Sequence, residues 1–453
     1  MATLDINYKD FTKGESYSDF LPNGGFSPDS YGLNLTHKLG ALYFNASATD
    51  RGGAILTGNA IAHEISSQFS SDNHYYLDDE GAFYTLSGTT LTKRQTSAST
   101  FALGTSDLKE FKLVTYATSA DSLHQLNGDD LTDCERLWGA SFNSNVRHPM
   151  DVVEDELFVA DYQGNAGVVY YWNGTSSGTA FTLPGGRRIT SLRKHTDGRT
   201  LLAFATNGDD FSHANNRKSF VYYCDPNLRD WTREVALESQ VEGSHVKGGN
   251  VFVTYGKNFG YFDGNGLKPL KRLETSATTY SHNIISMEDT VVFRDGLNAI
   301  AYGDLGQGNV FWKPFKNDVN SNAINNISYK GGNALLFAYS DGAGAGKLVE
   351  VDFDNIGGNG TLYSNRIDFG QEVNIKRIDL IHDATQVASQ FILFSRDIAG
   401  NEDIIANVIK GTLGATSTRV QTNVKTDIFQ LRFTPSNDDL GFYTIRLHYD
   451  PIK

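Results

Sequence analysis

Pairs of short runs rich in Val, Phe, Tyr and Leu, each pair split by a Gly, Asp or Asn turn, recur along the chain and read as β-hairpins. Seven such pairs begin at Tyr75, Phe111, Leu157, Leu201, Val251, Val291 and Leu335. Their starts lie about 43 residues apart on average, the repeat length of a four-stranded propeller blade. Shorter apolar runs between the pairs, such as RRITSLRKH and HNIISMED, supply a further strand each. One small sheet cannot bury both of its faces, whereas blades stacked around an axis cover one another. The pattern therefore predicts an all-β chain with a β-propeller of about seven blades over residues 54–356. The run AILTGNAIAHEISS, 54–67, either opens the first blade or completes the last.

From about residue 357 the rhythm changes to longer alternating strands: NIKRIDLIHD, QFILFSRDI, EDIIANVIK, IFQLRFTPS and FYTIRLHYD. Ile378, Leu380 and His382 alternate with Asp379 and Ile381, while Ile375 falls out of step. About a hundred residues of such strands predict a C-terminal β-sandwich over 357–453, jelly-roll-like. Residues 1–53 fit no blade. They are rich in Gly, Pro, Asp and Ser but carry spaced aromatics (Tyr8, Phe11, Tyr17, Phe20, Phe26, Tyr31), as expected of an extended arm packed on the propeller or on a neighbouring subunit.

Composition sharpens the picture. The chain has 453 residues, 45 of them Gly, with 12% aromatics, a balance suited to many strands and tight turns. With 39 Lys plus Arg against 53 Asp plus Glu, the formal charge of −14 disfavours nonspecific binding to nucleic acid or anionic lipid. Cys134 and Cys224 are too few for a disulfide framework or a cysteine zinc site, and are expected to be buried thiols. The start MATLDINYKDFTKGES lacks a signal-like apolar run, and no stretch of 18 apolar residues occurs, so a soluble, cytoplasmically made protein is expected. Asn-x-Ser/Thr triplets at Asn34, Asn45, Asn173, Asn326 and Asn359 follow from composition.

Several motifs resemble sites without completing them. His63-Glu64 opens like a zinc-protease motif but continues to Ser67 in place of the second histidine. GAGAGKL, Gly342 to Leu348, suggests a phosphate loop but has Asp341 for the first glycine and Leu348 for the magnesium-holding hydroxyl, so it reads as a hairpin tip. LDDEGAFY, Leu77 to Tyr84, is one residue short of the Asp box of glycan-hydrolase propellers, itself a structural turn. Asp352 and Asp354 are spaced for calcium but lack the closing Glu, which favours a linker. Trp138, Trp172, Trp231 and Trp312 fall near blade ends and are expected to pack between blades. No residue is nominated as catalytic, cofactor-binding or metal-ligating, and no cofactor is implied.

YKDFTKGESYSDFLPNGGFSPDSYGLNL, GNAIAHEISS, YYLDDEGAFYTL, IKRIDLIHDA and the late GFYTIRLHYDP together resemble tailed-phage structural proteins, in particular propeller-bearing neck and tail components. The resemblance is diffuse and spans most of the chain. It implies a non-catalytic virion component of the neck or tail, made in the bacterial host cytoplasm. Its implied partners are portal, neck or tail proteins and copies of itself in a ring, with no sequence-specific nucleic acid and no membrane. A carbohydrate- or receptor-binding module of a phage tail is the alternative, and a propeller glycan hydrolase a third.

Overall fold

A computed structural model describes residues 2–7, 30–31, 33–35, 42–45, 48–51, 56, 58–66, 73–96, 106–126, 134–137, 142–207, 218–277, 283–304, 309–316, 324–340, 346–357, 360–383, 390–396, 401–410, 415–436 and 442–452. Among these residues there is no helix, and seven antiparallel four-stranded sheets form the blades of a propeller. Blades 1 to 6 occupy 60–96, 108–136, 150–185, 187–237, 241–272 and 285–316. Blade 7 takes its inner three strands from 324–352 and its outermost from Thr49–Asp50, which pairs with Val349 and Glu350. The ring is thus closed by the N-terminal segment. The run 54–67 opens blade 1 as strand Ala60–Ser66.

All seven hairpins read from the sequence are the second and third strands of a blade, as in Glu156–Gln163 with Ala166–Trp172. Those strands are covered on both faces by neighbouring blades, so their apolar runs are nearly continuous. Outer strands such as Asp230–Leu237 are largely exposed. Trp312 is fully buried, Trp172 donates from Nε1 to the Tyr116 hydroxyl of blade 2 at 3.1 Å, and Trp231 packs edge-on against Tyr222 at 5.4 Å. These three tryptophans pack within or between blades, while Trp138 lies outside the described residues.

The C-terminal strands and Ala2–Asn7 are joined by hydrogen bonds through one long shared strand. They form one antiparallel sheet of seven strands, in which the 20-residue strand Ser417–Ser436 serves two groups. Its first half pairs with Ile367–His382, its second with Gln390–Arg396 and Leu362–Tyr363. The edge beyond Phe442–Pro451 is covered by Ala2–Asn7, so the N-terminal segment supplies a strand here too. A β-bulge between Ile375 and Arg377 resets the alternation, and Ile375, Ile378, Leu380 and His382 are all buried.

Between these two anchor points Leu33–Asn34 and Tyr43–Phe44 form a short hairpin. Asn45 donates from Nδ2 to the carbonyl of Pro314 in blade 6 at 2.8 Å. Ile6, Leu33, Leu35 and Leu42 share one hydrophobic core with Trp312 and Phe315 of blade 6, Leu335 and Phe337 of blade 7, and Ile378, Leu380 and Leu447 of the C-terminal sheet. The described parts of the N-terminal stretch staple the propeller to the C-terminal sheet. Of its aromatics Tyr31 is placed, bridging to Thr361; Tyr8, Phe11, Tyr17, Phe20 and Phe26 lie outside the described residues.

Candidate functional site

The first strand of each blade lies beside the first strand of the next around the axis, and 324–331 returns to 60–66. Within these strands Glu64, Lys109, Asp151, His245 and Tyr329 each stand two residues before the pair that closes the first hairpin of the blade. Arg193 and Ser286 stand one residue before it. These near-equal offsets bring one residue from each of the seven blades close to the end of its first strand. A cavity of about 300 Å³ opens there, lined among others by Glu64, Lys109, Arg147, Arg193, His245 and Asn326.

Polar contacts stitch the seams between blades at this level. Lys109 Nζ lies 3.5 Å from Asp151 Oδ1 and 4.0 Å from Glu64 Oε1. Asp151 Oδ2 accepts from the main-chain N–H of Lys194 at 2.7 Å, and Asp107 Oδ2 accepts from that of Met150 at 3.1 Å. Arg193 Nε donates to the carbonyl of Ser244 at 2.6 Å, and His245 Nε2 meets Ser286 Oγ at 3.1 Å. Arg147 crosses two seams at once: its Nη1 donates to the carbonyls of Thr190, 3.1 Å, and Glu242, 3.0 Å.

Burial and neighbouring charge set the protonation states. Burial pushes the Glu64 carboxyl up to about 7 although Lys109 opposes it. Lys109 is held above the usual lysine range, chiefly by Glu64. For Asp151 burial acts upward, but Lys109, Arg193 and the N–H groups of Lys194 and Val152 outweigh it and leave the carboxyl below its ordinary value. Burial, helped by Arg193 and Lys109, takes His245 down to about 3, so it is neutral, and burial lowers Arg147 only to about 10, so it remains a cation.

Glu64 and Asp151 are two carboxylates with opposite tendencies, the contrast that acid–base pairs exploit. Asp151 accepts from Lys194 N–H at Oδ2 and from Val152 N–H at Oδ1, so both of its oxygens are oriented by main-chain donors.

Glu64 makes stability depend on pH in a defined direction. In the fold it keeps its proton up to about pH 7, in the unfolded chain only to its ordinary 4.5, so the native state holds the extra proton in between and stability falls as pH rises through that window. Glu64→Gln is expected to raise stability by about 2 kcal/mol at pH 8 and to change little at pH 5, a figure held below the full linkage value because the pocket is open to water. Urea denaturation at the two pH values measures this, and equal effects at both would refute it.

The residues singled out by motif lie elsewhere in role. His63 Nε2 meets His74 Nδ1 at 3.0 Å, and His74 Nε2 reaches the carbonyl of Lys330 at 3.0 Å, a seam contact between blades 1 and 7. Asp78 caps its own turn, accepting from the N–H of Glu80 and Ala82, and also from Gly58 N–H and the Tyr84 hydroxyl. Asp352 accepts from Asp354 N–H and Asn355 Nδ2, an Asx turn that uses the oxygens calcium would need. Among the described residues no group of three His, Cys, Asp or Glu could hold a metal ion. Residues 341–345 of the glycine run lie outside the described residues, whereas Gly346 sits at the seam between blades 7 and 1. Cys224 is a buried free thiol, pushed up by burial; the side chain of Cys134 lies outside the described residues.

No family model matches this chain, and no curated protein matches it in sequence. Among solved structures it is similar to virginiamycin B lyase from Staphylococcus aureus, at 9% identity and a TM-score of 0.48 over 67% of this chain and 98% of that one. It is also similar to the Pan2 WD40 domain of Neurospora crassa, at 9% identity and a TM-score of 0.45 over 68% and 95% of the two chains. Likenesses this remote carry no functional argument. The seven-bladed propeller stands on the strand pairing of the chain itself.

Proposed function

We propose that the chain is a non-catalytic structural component of a tailed-phage virion, placed in the neck or tail and meeting portal, neck or tail proteins and copies of itself in a ring. The observation that carries this reading is the N-terminal staple: Ala2–Asn7 joins the C-terminal sheet, Thr49–Asp50 closes the propeller, and one core runs through both. A propeller and a sheet fused in this way resist being pulled apart, as an element of a particle must. The resemblance of the opening and closing segments to phage structural proteins supplies the setting, and the −14 charge favours solubility before assembly.

Gold-labelled antibody against the purified chain, applied to intact particles and imaged by electron microscopy, is expected to cluster at the neck or tail. Light scattering of the purified chain is expected to give an assembly larger than a monomer. Unlabelled particles together with a monomer in solution would overturn the reading.

The alternative, a glycan- or receptor-binding module, is favoured by a cavity of about 470 Å³ between blade 6 and the C-terminal sheet. Tyr31 and Tyr363 line it, and each ring already carries a cation, Lys316 at 4.9 Å and Arg396 at 5.1 Å. Retention of the chain on a glycan array without turnover is the outcome that would favour this module.

A further inference from the structure

We propose that the axial pocket is a binding site for a small oxyanion, a carboxylate or phosphate group, gripped by Arg147, Arg193, Lys109 and Asn326. The inference rests on buried polar groups that the fold leaves without partners. Asn326 is 2% exposed, and neither its Oδ1 nor its Nδ2 has a hydrogen-bond partner. Arg147 is 7% exposed, and its Nε is buried with no acceptor although Nη1 is used twice. Both residues line the same cavity. An orphaned buried amide or guanidinium N–H costs about 1–3 kcal/mol, so two of them on residues lining one cavity call for a ligand or ordered water that satisfies them.

Two further cations have donors to spare. Arg193 uses Nε on Ser244, and its terminal nitrogens make no hydrogen bond to the described residues. Lys109 lies between two carboxylates but at 3.5 and 4.0 Å, outside good hydrogen-bonding distance. The acids of the pocket are less available to compete. Asp107 accepts from the main-chain N–H groups of Leu108 and Met150, Asp151 from those of Val152 and Lys194. With Glu64 protonated, the three cations outnumber the two carboxylates, and ionisation of Glu64 cancels that excess. A cavity of about 300 Å³, walled on its apolar side by Ile65, Ile284 and Ile285, is at the small end of ligand sites and suits a compact anion with a short organic body.

Glu64 links this binding to pH. Around it stand Lys109 and Asp107 of blade 2, Asp151 of blade 3, Arg193 of blade 4, and His245 of blade 5, with His63 and His74 on its own blade. On the blade 7 side Tyr329 lines the pocket, and Lys330 is paired with Glu350. Both His63 and His245 are held neutral, while burial raises the Glu64 carboxyl to about 7, so Glu64 changes charge near neutrality. A negative ligand beside it favours its protonated form, and by linkage affinity falls as pH rises through about 7.

Calorimetric titration of the full chain with acetate and with inorganic phosphate, at pH 6 and pH 8, tests the site. Acetate does not titrate in this range, so its pH dependence reports the protein. At pH 6 at least one of the two anions is expected to bind, and Arg193→Gln to weaken it at least tenfold, about 1.4 kcal/mol. Acetate, where it binds, is expected to be several-fold weaker at pH 8 in the wild type and unchanged between the two pH values in Glu64→Gln. Tighter acetate points to a carboxylate ligand, tighter phosphate to a phosphoryl group. Lys109→Met, which removes no hydrogen bond, is the second variant where Arg193→Gln does not fold, with the same loss expected. No heat from either anion up to about 10 mM, or variants that bind like the wild type, would overturn the proposal.

Discussion

Deletion of residues 1–51 is expected to abolish cooperative folding of the whole molecule, although it touches none of the seven hairpins. The cut removes the outer strand of blade 7, leaving the outer edge of the third strand uncovered at Val349 and Glu350, which keep only their pairing with Phe337 and Leu336. It also removes Arg51, whose Nε donates to Glu350 at 2.6 Å, and the strand that covers the edge of Phe442–Pro451. Ile6, Leu33, Leu35 and Leu42 are each nearly fully buried. At roughly 1.5–3 kcal/mol per buried aliphatic side chain their loss alone comes to roughly 6–12 kcal/mol. That matches the roughly 5–15 kcal/mol that separates a folded domain from its unfolded state.

A shorter deletion separates the two jobs of the segment. Removing residues 1–7 takes away Ile6 and the two-point contact of Arg446 with Asp5, 2.6 and 2.8 Å, but spares the ring closure. It is expected to cost roughly 2–4 kcal/mol and to keep a sharp transition. Circular dichroism melts of the two truncations decide the matter. A 1–51 deletion that melts as sharply as the wild type, within a few degrees, would show that the staple is not what holds the ring.

The propeller was legible because its second and third strands are covered on both faces, so Glu156–Gln163 or Ala334–Ser340 read as uninterrupted apolar runs. The first strands were harder to read. Leu108–Phe111, Met150–Val153 and Ile285–Met287 are three or four residues long and place Lys109, Asp151 and Ser286 towards the channel. A polar residue inside so short a strand erases the signal that identifies it. The ring closure was illegible for a similar reason: Thr49–Asp50 is two polar residues paired with Val349 and Glu350 across about two thirds of the chain. No local motif could reveal the axial pocket, since its residues come from different blades. One signal was available, the charged or polar residue just before the first turn of successive repeats, as at Glu64, Lys109, Asp151 and His245. It emerges only once the repeats are aligned on their hairpins. In the C-terminal sheet a bulge after Ile375 defeated the reading by alternation, because one extra residue returns the next to the same face.

Gly346→Ala is expected to destabilise the protein by about 3 kcal/mol while leaving any response to nucleotide unchanged. Gly346 belongs to the glycine run that imitates a phosphate loop, and the fold gives it a different task. It begins the third strand of blade 7, pairing with Ser340. A Cβ built there would land on the carbonyl oxygen of Gly58, with Asn59 Cα 3.3 Å away, at the approach to blade 1. Both obstacles are main chain, so no rotamer change relieves the overlap, and the seam must open instead. Gly58 is itself fixed, because its N–H is held by Asp78 Oδ2 at 3.1 Å and a Cβ on it would strike Asp79 Oδ1, 2.5 Å away. Overpacking of a close-packed seam costs about 1–3 kcal/mol, and a backbone obstacle sets the effect at the upper end. Lys347→Ala is the discriminating partner: its Nζ lies 3.4 Å from Asp50 at the surface, a contact worth at most about 1 kcal/mol. A phosphate loop would make the lysine the sensitive position, for ATP affinity, and the glycine a matter of loop shape. A blade seam reverses that order, with a large loss of stability for the glycine, little for the lysine, and no stabilisation of either variant or the wild type by ATP in a thermal melt.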